Sequence, residues 1–95
     1  MKFEWDEYKN KINVQKHGID FRDAVYVFAD PFALSIPDDY AEYEERWLLV
    51  GLNLNNQVLL VVHTFRDGNI TRIISARKAT NKEKSTYLQR AKNER

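Results

Sequence analysis

The chain predicts an α+β domain: a small antiparallel β-sheet preceded by an N-terminal strand and two helices, built as a three- to four-stranded meander and closed by a C-terminal helix. Three observations carry this. Helix caps and helical spacing occur early and late in the chain, strand-like runs separated by turn residues fill the middle, and 95 residues with 43% apolar content suit one core. A single domain over residues 1–95 follows, with the helices expected on one face of the sheet.

Lys2-Phe3-Glu4-Trp5 alternates polar and apolar side chains, the period of a half-buried strand. Asp6 then stands as an N-cap for a helix over about residues 7–16, with Tyr8, Ile12 and lysine stems as its inward stripe and His17-Gly18 as its stop. Asp20 caps a second helix in which Phe21, Ala24, Val25, Phe28 and Ala29 share a face, and Asp30-Pro31 ends it. Strands follow at residues 32–36, 46–54, 58–66 and 70–77. They are divided by Pro37-Asp38-Asp39, Asn55-Asn56 and Asp67-Gly68-Asn69, and the last is a strong hairpin signal. Thr80 and Glu83 have capping-box spacing, so a final helix is expected with Tyr87, Leu88 and Ala91 inward and residues 92–95 frayed.

The absence of cysteine excludes disulfides, Cys-ligated zinc, iron–sulfur clusters and thiol nucleophiles, and it suits a reducing compartment. The longest apolar runs, residues 47–50 and 58–62, are too short to span a bilayer, and the start MKFEWDEYKN lacks the apolar core of a signal peptide. A soluble cytoplasmic protein without membrane contact is the expectation. The net charge of +1 conceals a division: residues 1–45 carry 5 Lys/Arg against 11 Asp/Glu, and residues 46–95 carry 10 against 3. Either the halves neutralise one another in the fold, or the second half offers a positive face to an anionic partner. On charge alone, the acidic half then faces solvent or a basic partner segment.

The cations of the second half fall on or beside the strands: Arg46, Arg66, Arg72, Arg77 and Lys78, with Ser75 and His63 among them. Arginine suits phosphate because its planar fork donates two hydrogen bonds at once and keeps its charge. Pairing of these arginines with Glu42, Glu44, Glu45 and Asp67 is the competing reading. Arg72 and Arg77 are five residues apart, which puts them on opposite faces of a regular strand unless a bulge intervenes. Ser75 and Arg77 share a face. A strand imidazole at His63 beside arginines would have a lowered pKa suited to a general base, with a packed or hydrogen-bonded strand histidine as the competing reading, whereas His17 at a helix end is structural. No H-E-x-x-H, phosphate loop or G-x-S-x-G occurs, and the spacing of Asp38, Asp39 and Glu42 specifies no metal site, so neither metal nor cofactor is expected.

Two blocks extend beyond pattern. Phe3-Glu4-Trp5-Asp6, Lys9, Asn13, Lys16-His17-Gly18-Ile19 and Phe21 resemble the opening of the BrnT family of bacterial toxins, and Ile73-Ile74-Ser75-Ala76-Arg77-Lys78-Ala79-Thr80 with Glu83 and Tyr87 resembles its closing signature. Glu45-Arg46-Trp47, Gly51, Arg66 and Arg72 fall between them at the family's middle positions. Residues 30–44 match no motif, and His63 stands outside the signature.

The resemblance implies a RelE-like fold and the toxin of a type II toxin–antitoxin system, an endoribonuclease that inhibits translation. It also implies neutralisation by a BrnA-type antitoxin with a ribbon-helix-helix DNA-binding part, in a two-plus-two complex that reaches operator DNA only through the antitoxin. RNA supplies its own nucleophile in the 2′-hydroxyl, so a metal-free mechanism needs cations, a base and an acid. Arg46, Arg66, Arg72 and Arg77 are the candidates for phosphate and charge, Ser75 and Lys78 for supporting RNA contacts, and Glu45 or His63 for the base. The alternatives are a non-catalytic module that binds nucleic acid or protein through the basic sheet face, and a metal-dependent nuclease.

Overall fold

The structure, a computed structural model, describes residues 1–42 and 45–93. The N-terminal alternation forms β1 (Lys2–Glu4), and Asp6 caps α1 (Glu7–His17) by accepting hydrogen bonds from the backbone N–H groups of Tyr8 and Lys9. Gly18 ends α1 at φ 72°, a left-handed conformation that a side chain would strain. The second helix is shorter than its spacing predicts: α2 (Phe21–Ala24) tightens into a 3₁₀ segment, Val25–Ala29. That tightening aligns Phe21, Ala24 and Val27 at three-residue intervals, and all three are fully buried. The strands are β2 (Leu34–Pro37), β3 (Trp47–Leu52), β4 (Val58–Arg66) and β5 (Ile70–Lys78), and α3 (Asn81–Asn93) closes the described chain. Of the residues expected to fray, 94 and 95 lie outside the described residues. No helix among the described residues is long and apolar enough to cross a membrane.

The sheet has five strands in the order β1-β5-β4-β3-β2, and it is mixed rather than purely antiparallel. β2 to β5 form the expected meander, whereas β1 lies parallel to β5 at the edge, with Lys2, Phe3 and Glu4 opposite Ile70, Thr71 and Arg72. Parallel neighbours need a long crossover, and the whole intervening chain supplies it. This is why an N-terminal carboxylate can meet arginines more than 60 residues away.

β1 is too short to cover all of β5, and α1 takes over the rest of that edge through an amide. Asn13 donates through Nδ2 to the Ala76 carbonyl at 2.9 Å and accepts through Oδ1 from the Ala76 N–H at 3.1 Å, as a sixth strand would. Nδ2 also donates to the Ile19 carbonyl at 2.7 Å. Asn10 accepts from the Phe21 N–H and donates to Asp20. The inward face of α1 is therefore built from Asn10 and Asn13, both buried, while the predicted stripe residues Tyr8 and Ile12 are exposed. An uncovered strand edge requires hydrogen-bond partners, which an apolar stripe cannot provide.

One face of the sheet packs Leu49, Leu59, Val61, Ile73 and Ala76 against Ile19, Phe21, Ala24 and Val27. The opposite face carries Val50, Val58 and Leu60 under Tyr87 of α3. Helices thus cover both faces, not one, because the first face is already filled when the chain leaves β5 and the apolar positions of the second would otherwise meet water. Tyr87 points inward as expected; Leu88 does not, and is exposed. Asp30 joins the two layers: its Oδ2 accepts from the Leu52 N–H at 2.8 Å and the Tyr87 hydroxyl at 2.5 Å, and its Oδ1 from the Phe32 N–H. Gly51 permits this approach, since a Cβ there would lie 2.9 Å from both Ala33 Cβ and Val27 Cγ1.

Replacing Asn13 with alanine strands the Ala76 N–H and two carbonyls, and should destabilise the fold by about 1–3 kcal/mol, measured by chemical denaturation. A loss below the precision of that measurement would contradict the edge-capping role.

Candidate nucleic-acid interface

A bulge in β5 sets the face that the candidate side chains of this strand share with those of β3 and β4. Val62 of β4 pairs with Ser75, but the next residue, His63, pairs with Ile73, so Ile74 is an extra residue with no partner on β4. The bulge cancels the odd spacing of Arg72 and Arg77. Arg72 opposes Thr64, Ser75 opposes Val62 and Arg77 opposes Leu60, all on the α3 face of the sheet. Arg66 has the same parity on β4, and Arg46, one residue before β3, has the parity of Leu48 and Val50. Arg46, Arg66, Arg72, Ser75 and Arg77 therefore share one face.

Two carboxylates hold the guanidinium groups. Glu4 Oε2 lies 2.5 Å from Arg72 Nη1 and 3.6 Å from Arg66 Nε. Both contacts use the same oxygen, which leaves Oε1 without a guanidinium partner among the described residues. Glu83 takes Arg77 in a fork, 2.8 Å from Nη1 and 3.0 Å from Nη2, and Arg77 Nη1 also donates to the Lys78 carbonyl. Glu83 closes the predicted capping box of α3 as well: its Oε1 accepts from the Thr80 N–H, and the Thr80 hydroxyl accepts from the Glu83 N–H. The Arg77 fork, with Thr80 adding to it, pulls the Glu83 carboxyl down to about 2, and Glu83 in turn raises Arg77. Arg66, Arg72 and Arg77 do pair with acids, and among the described residues these are Glu4 and Glu83 rather than the expected Glu42, Glu45 and Asp67; Glu44 lies outside the described residues. Of the five N–H donors of a guanidinium, Arg77 uses three in these bonds and Arg72 one.

Other candidates lie elsewhere. His63 faces the N-terminal helices, is 1% exposed, and is enclosed by Phe28 and Phe65 at ring-centroid distances of 4.8 and 5.3 Å. Burial lowers its pKa, as the sequence predicts, but the cause is desolvation and not neighbouring arginines, which are across the sheet. Lys78 opposes Leu59 and so belongs to the face opposite Ser75. Glu45 is exposed; its carbonyl accepts from the Thr64 hydroxyl, and with Asp38, Glu42, Arg46 and Trp47 it lines an open cavity of about 480 Å³. Among the described residues no three His, Asp or Glu side chains converge as metal ligands would. Glu4 escaped the sequence reading because the parallel β1–β5 pairing is invisible locally. Its one signal is its polar position in the alternation of residues 2–5.

The chain matches, over residues 5–83, the family described as "Ribonuclease toxin, BrnT, of type II toxin-antitoxin system". It belongs to the BrnT family. Among solved structures it is similar to the crystal structure of the Brucella abortus ribonuclease toxin, BrnT, with 26% identity and a TM-score of 0.67 over 85% of this chain and 99% of that one. No curated protein sequence matches it. The α+β class and RelE-like expectation accord with that neighbour, and the family defines the chain as a ribonuclease toxin of a type II toxin–antitoxin system. The span assigned to BrnT contains β2 to β5 and stops at Glu83, the partner of Arg77.

Glu83→Gln keeps the capping box of this BrnT-family chain but removes the charge, and should cost about 1–2 kcal/mol at neutral pH for a partly exposed pair. Because the folded carboxyl is lowered to about 2 from 4.5, the stabilisation is complete above pH 4.5 and fades as pH falls toward 2. The gap between native and variant chains in denaturant midpoint should narrow over that window; a gap that stays constant would contradict the pairing.

Proposed function

We propose that this chain is a metal-independent endoribonuclease that cleaves RNA on the α3 face of its sheet and inhibits translation by doing so. The observation that supports the reading is the convergence of Arg46, Arg66, Arg72, Ser75 and Arg77 on one face, with a carboxylate, Glu4, in contact with two of them. The remaining guanidinium donors of Arg72 and Arg77 bind the phosphate and stabilise the charge that develops on it, and Ser75 adds a hydroxyl. Glu4 and Glu83 keep those forks oriented.

Glu4 takes the role of base that the sequence leaves to Glu45 or His63. Its Oε1 accepts the proton of the 2′-hydroxyl as that oxygen attacks phosphorus. The P–O5′ bond then breaks, leaving a 2′,3′-cyclic phosphate on one fragment; the departing 5′-oxygen takes a proton from water, and Glu4 returns its proton to solvent. Glu83 is the poorer base: both its oxygens are committed to Arg77, one of them also to Thr80, and its carboxyl titrates near 2. The toxin acts in the cytoplasm and is neutralised by a BrnA-type antitoxin with a ribbon-helix-helix part, in a two-plus-two complex that represses its own operator.

Induced in a bacterial host without an antitoxin, the native chain should arrest growth and fragment RNA. Arg46→Ala, Arg77→Ala and Glu4→Gln, at matched expression and with native-like circular dichroism, should do neither. The purified native chain should cleave RNA undiminished in a chelator. Healthy growth and intact RNA with the native chain would favour a non-catalytic binding module, and loss of cleavage on chelation a metal-dependent nuclease.

A further inference from the structure

Lys9, Asn13, Lys16 and His17 stand at positions i, i+4, i+7 and i+8 of α1, which is one helical face. The catalytic reading has no use for them. That face meets β5 where β1 has ended, and between helix and strand runs a cleft of about 180 Å³ lined by Lys9, Ile12, Asn13, Lys16, His17, Ile74 and Ser75. Asn13 is committed to Ala76 and Ile19 at its floor. The lining contains no carboxylate. None of the ion pairs among the described residues involves Lys9, Lys16 or His17; those of the acidic half join Glu7 and Asp20 to Arg22, and Glu4 to Arg66 and Arg72. Glu7 and Asp20 line a separate cleft with Lys11. The lysines toward β5 thus keep their charge unneutralised.

The bulge connects this cleft to the arginine face. Ile74, the extra residue, lines the cleft, and Ser75 belongs to both places: it borders the cleft and shares a face with Arg72 and Arg77. A polyanionic strand leaving that face over the β5 edge meets Lys9 and Lys16 next. We propose that the cleft between α1 and β5 is a second phosphate subsite, where Lys9, Lys16 and His17 bind a backbone phosphate of the RNA strand flanking the one on the arginine face. Resting on the ribonuclease reading, this assigns RNA binding to a helix in the acidic half of the chain. Lysine ammonium groups bind such a phosphate as point charges, without reading the base.

The test is the salt dependence of binding to a ten-nucleotide 2′-O-methyl RNA, which has no 2′-hydroxyl nucleophile. Each phosphate contact contributes about 0.7 to the slope of log K against log salt for a single strand. Lys9→Gln with Lys16→Gln should lower the slope by about that amount. Lys11→Gln with Lys92→Gln, which removes equal charge elsewhere, should not. All variants are first matched in thermal midpoint. A native slope in the Lys9/Lys16 variant, or an equal drop in the control, would overturn the subsite. So would an unchanged slope with weakened capture of the cognate antitoxin, which would give the cleft to an acidic protein segment. Arg72→Ala reports on the first face separately: an unchanged slope there, beside a lowered one for Lys9/Lys16, would sink the arginine-face reading and leave the cleft standing.

Discussion

One unpaired residue in β5 determines what this sheet can do. Were Ile74 paired in a regular ladder, Arg72 would fall on the helix-packed face and Ile73 on the other, and the strand would divide its cations between two surfaces. The bulge places Arg72, Ser75 and Arg77 together while keeping both Ile73 and Ala76 in the core on the other side. A bulge is sustained only where the strand is held on both flanks. Here β4 pairs along the full length of β5, β1 secures its first residues, and Asn13 secures Ala76 beyond the bulge. Core and candidate site thus depend on the same backbone irregularity.

The second constraint is electrostatic. Arginines gathered on one small face repel one another unless carboxylates intervene, and among the described residues those that hold Arg66, Arg72 and Arg77 are contributed by β1 and α3. Glu4 comes from the acidic half of the chain and Glu83 from the basic half. The charge division in the sequence is therefore only partly cancelled in space. Glu7 and Asp20 are engaged with Arg22 within their own half, so they do not neutralise the lysines of α1 that approach β5. The result is a positive surface that continues around the strand edge.

Most of the architecture was legible because local chemistry states it: Asp6 and Asp20 cap helices, Gly18 ends one, Asp67-Gly68-Asn69 turns a hairpin, and Thr80 with Glu83 opens α3. Long-range features were not. The parallel β1–β5 pair, and with it the meeting of Glu4 and Arg72, depends on two segments that carry no local mark of each other. The buried asparagines of α1 are missing from its expected inward stripe because an uncovered strand edge cannot be seen from the helix sequence. For the site, the arginines and Ser75 were legible by residue type and their shared face was not. The oddness of the 72–77 spacing was the clue to a bulge. Of the two readings of His63, the packed strand histidine is the one its surroundings support: it lies between Phe28 and Phe65, and the arginines are on the other side of the sheet.

Arg72 and Lys78 are cations of one strand that face opposite sides of the sheet, and comparing their loss tests most directly whether the α3 face is where RNA is cut. Cleavage of a single-stranded RNA by the purified chain, in a chelating buffer, should fall by at least about tenfold in Arg72→Ala, the effect of losing one charge-stabilising contact, and stay at the native rate in Lys78→Ala. Native cleavage by Arg72→Ala, or an equal loss in both, would contradict the account.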